Sequence, residues 1–190
     1  MKPAYVGFVA LTLLAATAGF VMHQHMSRVE LQRREALSPP PPVVPPAAEP
    51  TAVFDWSFAD LEGKSQPLAQ WRGQLVVLNF WATWCPPCLK EIPAFVSLQQ
   101  RLGARGLQFV GIALDQVEAV KPFVAEHGLN YPILFGDQDV ARMMTALGNP
   151  VGGLPYTVVV GRDGKVLTVH QGEWPADEAL KSLEAALSQP

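Results

Sequence analysis

Asn79-Phe80-Trp81-Ala82-Thr83-Trp84-Cys85-Pro86-Pro87-Cys88-Leu89-Lys90-Glu91 contains both cysteines of the 190-residue chain, set in a Cys-x-x-Cys. An apolar run, Leu75-Val76-Val77-Leu78-Asn79-Phe80-Trp81, leads into it. The run is short, β-branched and aromatic, which predicts a buried central strand. Beyond it, Pro87 to Leu102 carries Leu89, Ile92, Phe95, Val96 and Leu98 at roughly helical spacing. The cysteines therefore sit where a core strand turns into a helix. Cys85 lies near the helix N-terminus, and Pro86 falls in the first turn, where its missing N–H costs nothing.

Free N–H groups and the positive end of a helix dipole favour an anion at that place. A thiolate is such an anion, and it is the reactive form of cysteine. Cys88 lies one turn on, facing the same side and more buried. In this arrangement Cys85 attacks a disulfide and Cys88 resolves the mixed disulfide. Two inert core cysteines fit poorly with an exposed Trp-Cys-Pro-Pro ahead of a helix. A copper-holding pair is a second alternative, but two thiolates under-coordinate most metals and the sequence places no histidine beside them. Haem attachment is excluded here, because residue 89 is Leu rather than His.

Phe80 through Cys88, followed by Lys90-Glu91-Ile92-Pro93, resembles the active site of the thioredoxin superfamily. The likeness is strongest to its TlpA-like and ResA-like branch of membrane-tethered thiol–disulfide oxidoreductases, and it covers about residues 53–188. It implies an α/β thioredoxin fold: a central mixed sheet flanked by helices, with an N-terminal β-hairpin and a TlpA-type insert over roughly residues 115–147. It implies catalysis by Cys85 and Cys88, and a substrate-docking rim of Trp84, Pro86, Pro87, Leu154 and Pro155. Leu154-Pro155 occupies the place of the family's cis-proline loop, whose backbone meets an extended substrate segment. The branch has a glutamate at the position of Glu91, implicated in proton handling or in shaping the site; by position alone a solvated helix carboxylate is equally consistent. The resemblance implies neither a cofactor nor a resident metal. Its implied partners are protein disulfides, apocytochrome c first and a metallochaperone next, with a membrane dithiol as electron donor. An oxidant or isomerase on the same fold stays open.

The N-terminus fits a tether. Ala4 to Met22 is 19 residues without a charge, about the length of a bilayer-spanning helix. Residues 1–22 read as a signal anchor; a cleaved signal is the alternative, with Ala16-Thr17-Ala18 as its cleavage site. Lys and Arg counts, Lys2 before the span against Arg28, Arg33 and Arg34 after it, favour a cytoplasmic C-terminal side. The family resemblance implies the opposite: a single pass through the bacterial cytoplasmic membrane with the catalytic domain outside, in the periplasm. His23 and His25 read as interfacial polar residues rather than metal ligands. Residues 23–50 read as a charged helix extension and a linker. Seven prolines between Ser38 and Pro50 predict a polyproline spacer of roughly 40 Å, at about 3.1 Å per residue.

Residues 51–190 form the catalytic domain. Val53 to Phe58 alternates ahead of a turn at Asp60 to Lys64, predicting a hairpin. Leu68 to Gly73 predicts a short helical turn. Leu107 to Leu114 is a second apolar run, parallel to the first because a helix separates them. Val117 to Glu126 reads as a helix closed by Gly128, Tyr131 to Phe135 as a short strand, and Asp137 to Leu147 as a helix capped by Asp137. Met143 and Met144 read as core. Tyr156 to Val160 and Val166 to His170 form a hairpin through Asp163-Gly164, and Pro175 to Leu187 is the closing helix. His170 reads as a satisfied strand histidine. With 14 Lys and Arg against 17 Asp and Glu, the net charge of −3 offers no basic footprint for nucleic acid.

Overall fold

Seven consecutive residues, Leu75 to Trp81, are buried along one strand, as happens only where helices or turns cover both faces of a sheet. The computed structural model describes Met26 and residues 52–188. The span at residues 1–22, the two histidines after it and the proline-rich spacer lie outside the described residues. Among the described residues no helix is long and apolar enough to cross a membrane.

In chain order the strands are β1 (Ser57–Asp60), β2 (Ser65–Pro67), β3 (Leu75–Trp81), β4 (Leu107–Ala113), β5 (Ile133–Phe135), β6 (Tyr156–Val160) and β7 (Val166–Gln171). The helices are α1 (Pro86–Leu102), α2 (Val117–His127), α3 (Gln138–Ala146) and α4 (Ala176–Leu187). Short 3-10 turns precede β1 and β3, at Val53–Asp55 and Leu68–Trp71. The strands make one mixed sheet in the order β2-β1-β5-β4-β3-β6-β7. β3, β4 and β5 run parallel, with α1 and α2 as crossovers, while β6 is antiparallel to β3 and β7 to β6. This is the thioredoxin fold.

Side chains alternate along β3, so each face of the sheet has its own core. Leu75, Val77 and Trp81 pack on one side with Ile92, Phe95 and Leu98 of α1, Phe109 of β4 and Leu183 of α4. Phe95 stacks on Phe109 at 5.0 Å between centroids. Val76, Leu78 and Phe80 pack on the other side with Val110, Ile112, the two 3-10 turns, and Val140, Met143 and Met144 of α3. Each such side chain, fully buried, stabilises the fold by about 1.5–3 kcal/mol. Asn79 falls in the same alternating set as Leu75, Val77 and Trp81, so it points into the α1 side of the sheet.

The hairpin and the insert hold each other. β1 pairs with β2, and on its other side it is antiparallel to β5, the strand that the insert supplies. Three sequence expectations need correction. Val53 to Asp55 is a 3-10 turn with Val53 and Phe54 both buried, so strand structure begins only at Ser57. Asp137 stands at the N-cap of α3 but its side chain makes no capping hydrogen bond. The strand read from Tyr131 starts at Ile133; Tyr131 is instead a core ring tilted against Phe109, with centroids 5.7 Å apart.

Gly164 shows how the second hairpin serves the rest of the domain. It has φ +88° in the β6–β7 turn, and a Cβ there would lie 2.8 Å from the Phe54 ring. Backbone strain and a buried clash thus coincide. Gly164→Ala is expected to lower stability by about 1–3 kcal/mol, read as a lower urea midpoint with an unchanged slope. An unchanged midpoint would mean that Phe54 is not seated under this turn.

Candidate active site

Cys85 is the N-cap of α1, and Pro86 and Pro87 are its first two residues. The Cys85 N–H donates to the Ala82 carbonyl and the Leu89 N–H donates to the Cys85 carbonyl, both at 3.2 Å. Cys85 and Cys88 are joined as a disulfide with Cα atoms 5.3 Å apart. Trp84 beside them is 66% exposed, whereas Cys85 is only 4% exposed and Cys88 fully buried. Pro86 is exposed and Pro87 half-buried. The open surface of the motif is therefore made by Trp84 and Pro86 rather than by sulfur. One element of the sequence reading changes here. Pro86 and Pro87 carry no N–H, so Cys88 is the first residue of α1 with a donor, and the helix start offers Cys85 fewer hydrogen bonds than an ordinary N-terminus.

The loop that carries Cys85 is fixed from β4. Asp115 accepts hydrogen bonds from both the backbone N–H and the hydroxyl of Thr83. Burial pushes the Asp115 carboxyl up, but the bonds from Thr83 and Gln116 outweigh it and hold it below the ordinary aspartate range.

The peptide bond between Leu154 and Pro155 is cis. Leu154 packs against both core clusters, one of which contains Cys85 and Cys88. Asn149 is buried beneath the loop: its Nδ2 donates to the Gly153 carbonyl at 2.8 Å and its Oδ1 accepts from the Gly153 N–H at 3.2 Å. Pro155 is tied from β7's end, since Gly172 N–H donates to its carbonyl at 2.9 Å.

Glu91 is not a solvated carboxylate. It is 2% exposed, on the inner face of α1. Asn79 Nδ2 donates to its Oε1 at 2.8 Å, and the Trp174 backbone N–H donates to its Oε2 at 2.9 Å. Burial raises its pKa to about 7, against the lowering effect of those two hydrogen bonds, with the charge of Glu173 adding to the rise. It is thus a carboxyl group that exchanges a proton near neutral pH.

The structure describes all eight candidate site residues, Cys85, Cys88, Glu91, Trp84, Pro86, Pro87, Leu154 and Pro155. Cys85, Cys88 and Glu91 share the start of α1, and Leu154 joins their core. Trp84 and Pro86 stand at the surface, and Pro155 is buried at the head of β6. Four residues went unread. Asn79 is the one polar residue in the apolar run Leu75 to Trp81, a signal that could have found it. Asp115, just past β4, belongs to no motif and only follows the second apolar run. Thr157, buried on β6 and hydrogen-bonded to Asn79, has the look of an ordinary β-branched strand residue. Trp174 acts through its backbone, which no side-chain motif reveals. His170 stacks on Trp174 at 5.3 Å and its Nε2 lies 3.1 Å from the Glu173 carbonyl, a satisfied histidine. Among the described residues no group of three or more His, Cys, Asp or Glu side chains is placed to hold a metal ion.

Residues 50–169 match the AhpC/TSA family. The thiol-disulfide oxidoreductase ResA of Geobacillus thermodenitrificans is 33% identical over 132 residues, covering 69% of this chain and 74% of its own length. The chain belongs to the AhpC/TSA family, among the ResA thiol–disulfide oxidoreductases. A ResA of Bacillus cereus is 30% identical over 178 residues, which takes in 93% of this chain and 92% of the relative. The crystal structure of a thioredoxin-family thiol:disulfide interchange protein from Chlorobium tepidum superposes with a TM-score of 0.66 at 31% identity. It covers 75% of this chain and 99% of that one. The ResA family exchanges disulfides, and the Cys85–Cys88 pair is the cysteine pair that this chain brings to that chemistry.

The buried carboxyl gives the fold a pH signature. In the unfolded chain Glu91 ionises near 4.5, and in the fold near 7. Between those values the fold holds a proton that the unfolded chain has released. The stability from this group is complete below the lower value, falls as pH rises, and is lost above the upper one. The expected loss is about 3 kcal/mol, and Glu91→Gln removes it. Urea midpoints of the two proteins at pH 4.5 and pH 8 measure the difference; parallel behaviour would mean that Glu91 ionises as readily in the fold as outside it.

Proposed function

We propose that this ResA-type protein is a reductant, held at the outer face of the cytoplasmic membrane by residues 1–22, that reduces the disulfides of target proteins. The observation that carries the direction is the pair of prolines opening α1. A strong oxidant of this fold has a stabilised reduced form. With Pro86 and Pro87 in the first two helical positions, two backbone donors that would stabilise a Cys85 thiolate are absent. The reduced pair is thereby left more reactive and the disulfide relatively favoured, which is the property of an electron donor. The likeness to ResA over 93% of the chain extends beyond the catalytic domain and supports a shared N-terminal tether.

In the exchange, the Cys85 thiolate attacks one sulfur of the target disulfide. A mixed disulfide forms, and the other target sulfur leaves as a thiolate and takes a proton from water. Cys88 then gives its proton to the Glu91 carboxylate and attacks Cys85 Sγ. The Cys85–Cys88 disulfide forms and the second target sulfur is released. Two electrons pass to the target, and the pair ends oxidised, as it stands in the structure. A membrane dithiol returns the two electrons, and Glu91 returns its proton. Trp84 and the Leu154-Pro155 backbone form the rim that seats the target segment. The haem-attachment cysteines of apocytochrome c are the leading target, followed by a metallochaperone of copper assembly.

The reduction potential of the Cys85–Cys88 pair is expected near the thioredoxin end of the range, about −270 mV, rather than near the oxidant end at about −120 mV. Equilibration against glutathione and dithiothreitol measures it. Pro86→Gly, which restores a donor, is expected to raise it. Cys85→Ser should abolish turnover of a disulfide substrate. A potential at the oxidant end would reverse the assigned direction, and turnover retained without Cys85 would remove the mechanism.

A further inference from the structure

Asn79 is fully buried on β3, and its amide is used from one end only. Nδ2 donates to Glu91 Oε1 at 2.8 Å and to Thr157 Oγ1 at 3.1 Å. Oδ1 is buried with no hydrogen-bond partner. A buried acceptor left unpaired is costly, and such a group in a folded protein asks for a reason.

We propose that Asn79 is a positioning residue for the exchange reaction whose side-chain amide turns over as Glu91 gains and loses a proton, donating through Nδ2 to the carboxylate and accepting through Oδ1 from the carboxylic acid. The proposal deepens the proton-handling role given to Glu91 above and rests on it.

The geometry leaves one route. Glu91 Oε2 faces the backbone N–H of Trp174 at 2.9 Å, and a backbone N–H only donates. A proton on Oε2 would set two hydrogens against each other. The proton therefore goes to Oε1, where the facing group is a side chain. An Asn79 fixed with Nδ2 forward would repel it in the same way. Rotation by half a turn about the terminal torsion, which is broad and roughly two-fold, puts Oδ1 forward instead. Thr157 can follow, because a hydroxyl accepts from Nδ2 in one state and donates to Oδ1 in the other. Glu91 then keeps a hydrogen bond on both oxygens whether charged or neutral.

The other ionisable groups around Glu91 cannot do this. Glu173, on the loop before α4, raises the Glu91 pKa through its charge and is itself paired with Lys90 at 3.6 Å. Tyr131, before β5, is pushed up by burial and by the Glu91 charge, and makes no hydrogen bond to it. His170 on β7 is turned to the Glu173 carbonyl and the Trp174 ring. Cys88, one turn earlier on α1, is in the disulfide.

The test is nuclear magnetic resonance on the oxidised full-length chain between pH 5 and pH 9, following the Asn79 side-chain NH2 signals and their through-space contacts to Thr157. The contacts are expected to be strong at high pH and to fade as Glu91 takes up its proton; in Glu91→Gln they should be weak throughout. Glu91 titrating with the contacts unchanged would overturn the proposal, as would the same fading in Glu91→Gln. A second arm uses rates. Asn79→Leu, similar in volume, is expected to slow disulfide exchange about tenfold, the worth of one hydrogen bond, and to add nothing in a Glu91→Gln background. Equal slowing in both backgrounds makes Asn79 merely structural. Exchange indifferent to Glu91→Gln removes the proton-handling role itself, whatever the amide does, so the two failures are told apart.

Discussion

The carboxyl group of Glu91 is the joint on which the site depends. Through Asn79 it binds α1 to β3, and through the Trp174 N–H it binds α1 to the loop ahead of α4. Thr157 extends the contact to β6. That loop also carries Gly172, whose N–H holds the Pro155 carbonyl. The helix that presents the cysteines and the strand that begins at the cis-proline are thus fastened to the same few residues. Burying a carboxyl this deeply is unfavourable. Here that burial raises the carboxyl's pKa to about 7, against the two hydrogen bonds that favour its charged form.

Around this joint the loops are fixed by short polar contacts rather than by apolar packing. Asp115 grips Thr83 by both its N–H and its hydroxyl, and so sets the approach to Cys85 from the end of β4. Asn149 does the same for the glycines before Pro155. Both lie at loops on the carboxyl side of the parallel strands or beside it, where open α/β sheets place their sites. The apolar material of the motif is left for the surface, in Trp84, and for the two sheet faces.

The sequence was legible where one physical rule decided the outcome. The apolar character of Leu75 to Trp81, interrupted only at Asn79, pointed to a strand covered on both sides, and its junction with an amphipathic segment located the cysteines. Gly128 ends α2 with φ +62°, as its position past the last helical residue implied. Asp163-Gly164 marked its hairpin for the same reason. What escaped were effects of tertiary contact. The alternation from Val53 to Phe58 looked like a strand, yet Val53 and Phe54 are both buried, Phe54 under the β6–β7 turn, and a 3-10 turn lets the two neighbours be buried together. Asp137 had the residue type of a cap but not the geometry. Glu91 could not be told from a surface carboxylate by its spacing, because its partners, Asn79 and Trp174, are 12 and 83 residues away.

The two margins of the sheet are unlike. One ends in β2, three residues long and closed by Pro67, which has no N–H to offer a neighbour. The other ends in β7, six residues without Lys, Asp, Glu or Pro, along which Val166, Leu167 and Val169 are each more than 40% exposed. Among the described residues the sheet is thus protected against strand addition at the β2 margin by shortness and proline, and at the β7 margin by neither charge nor proline.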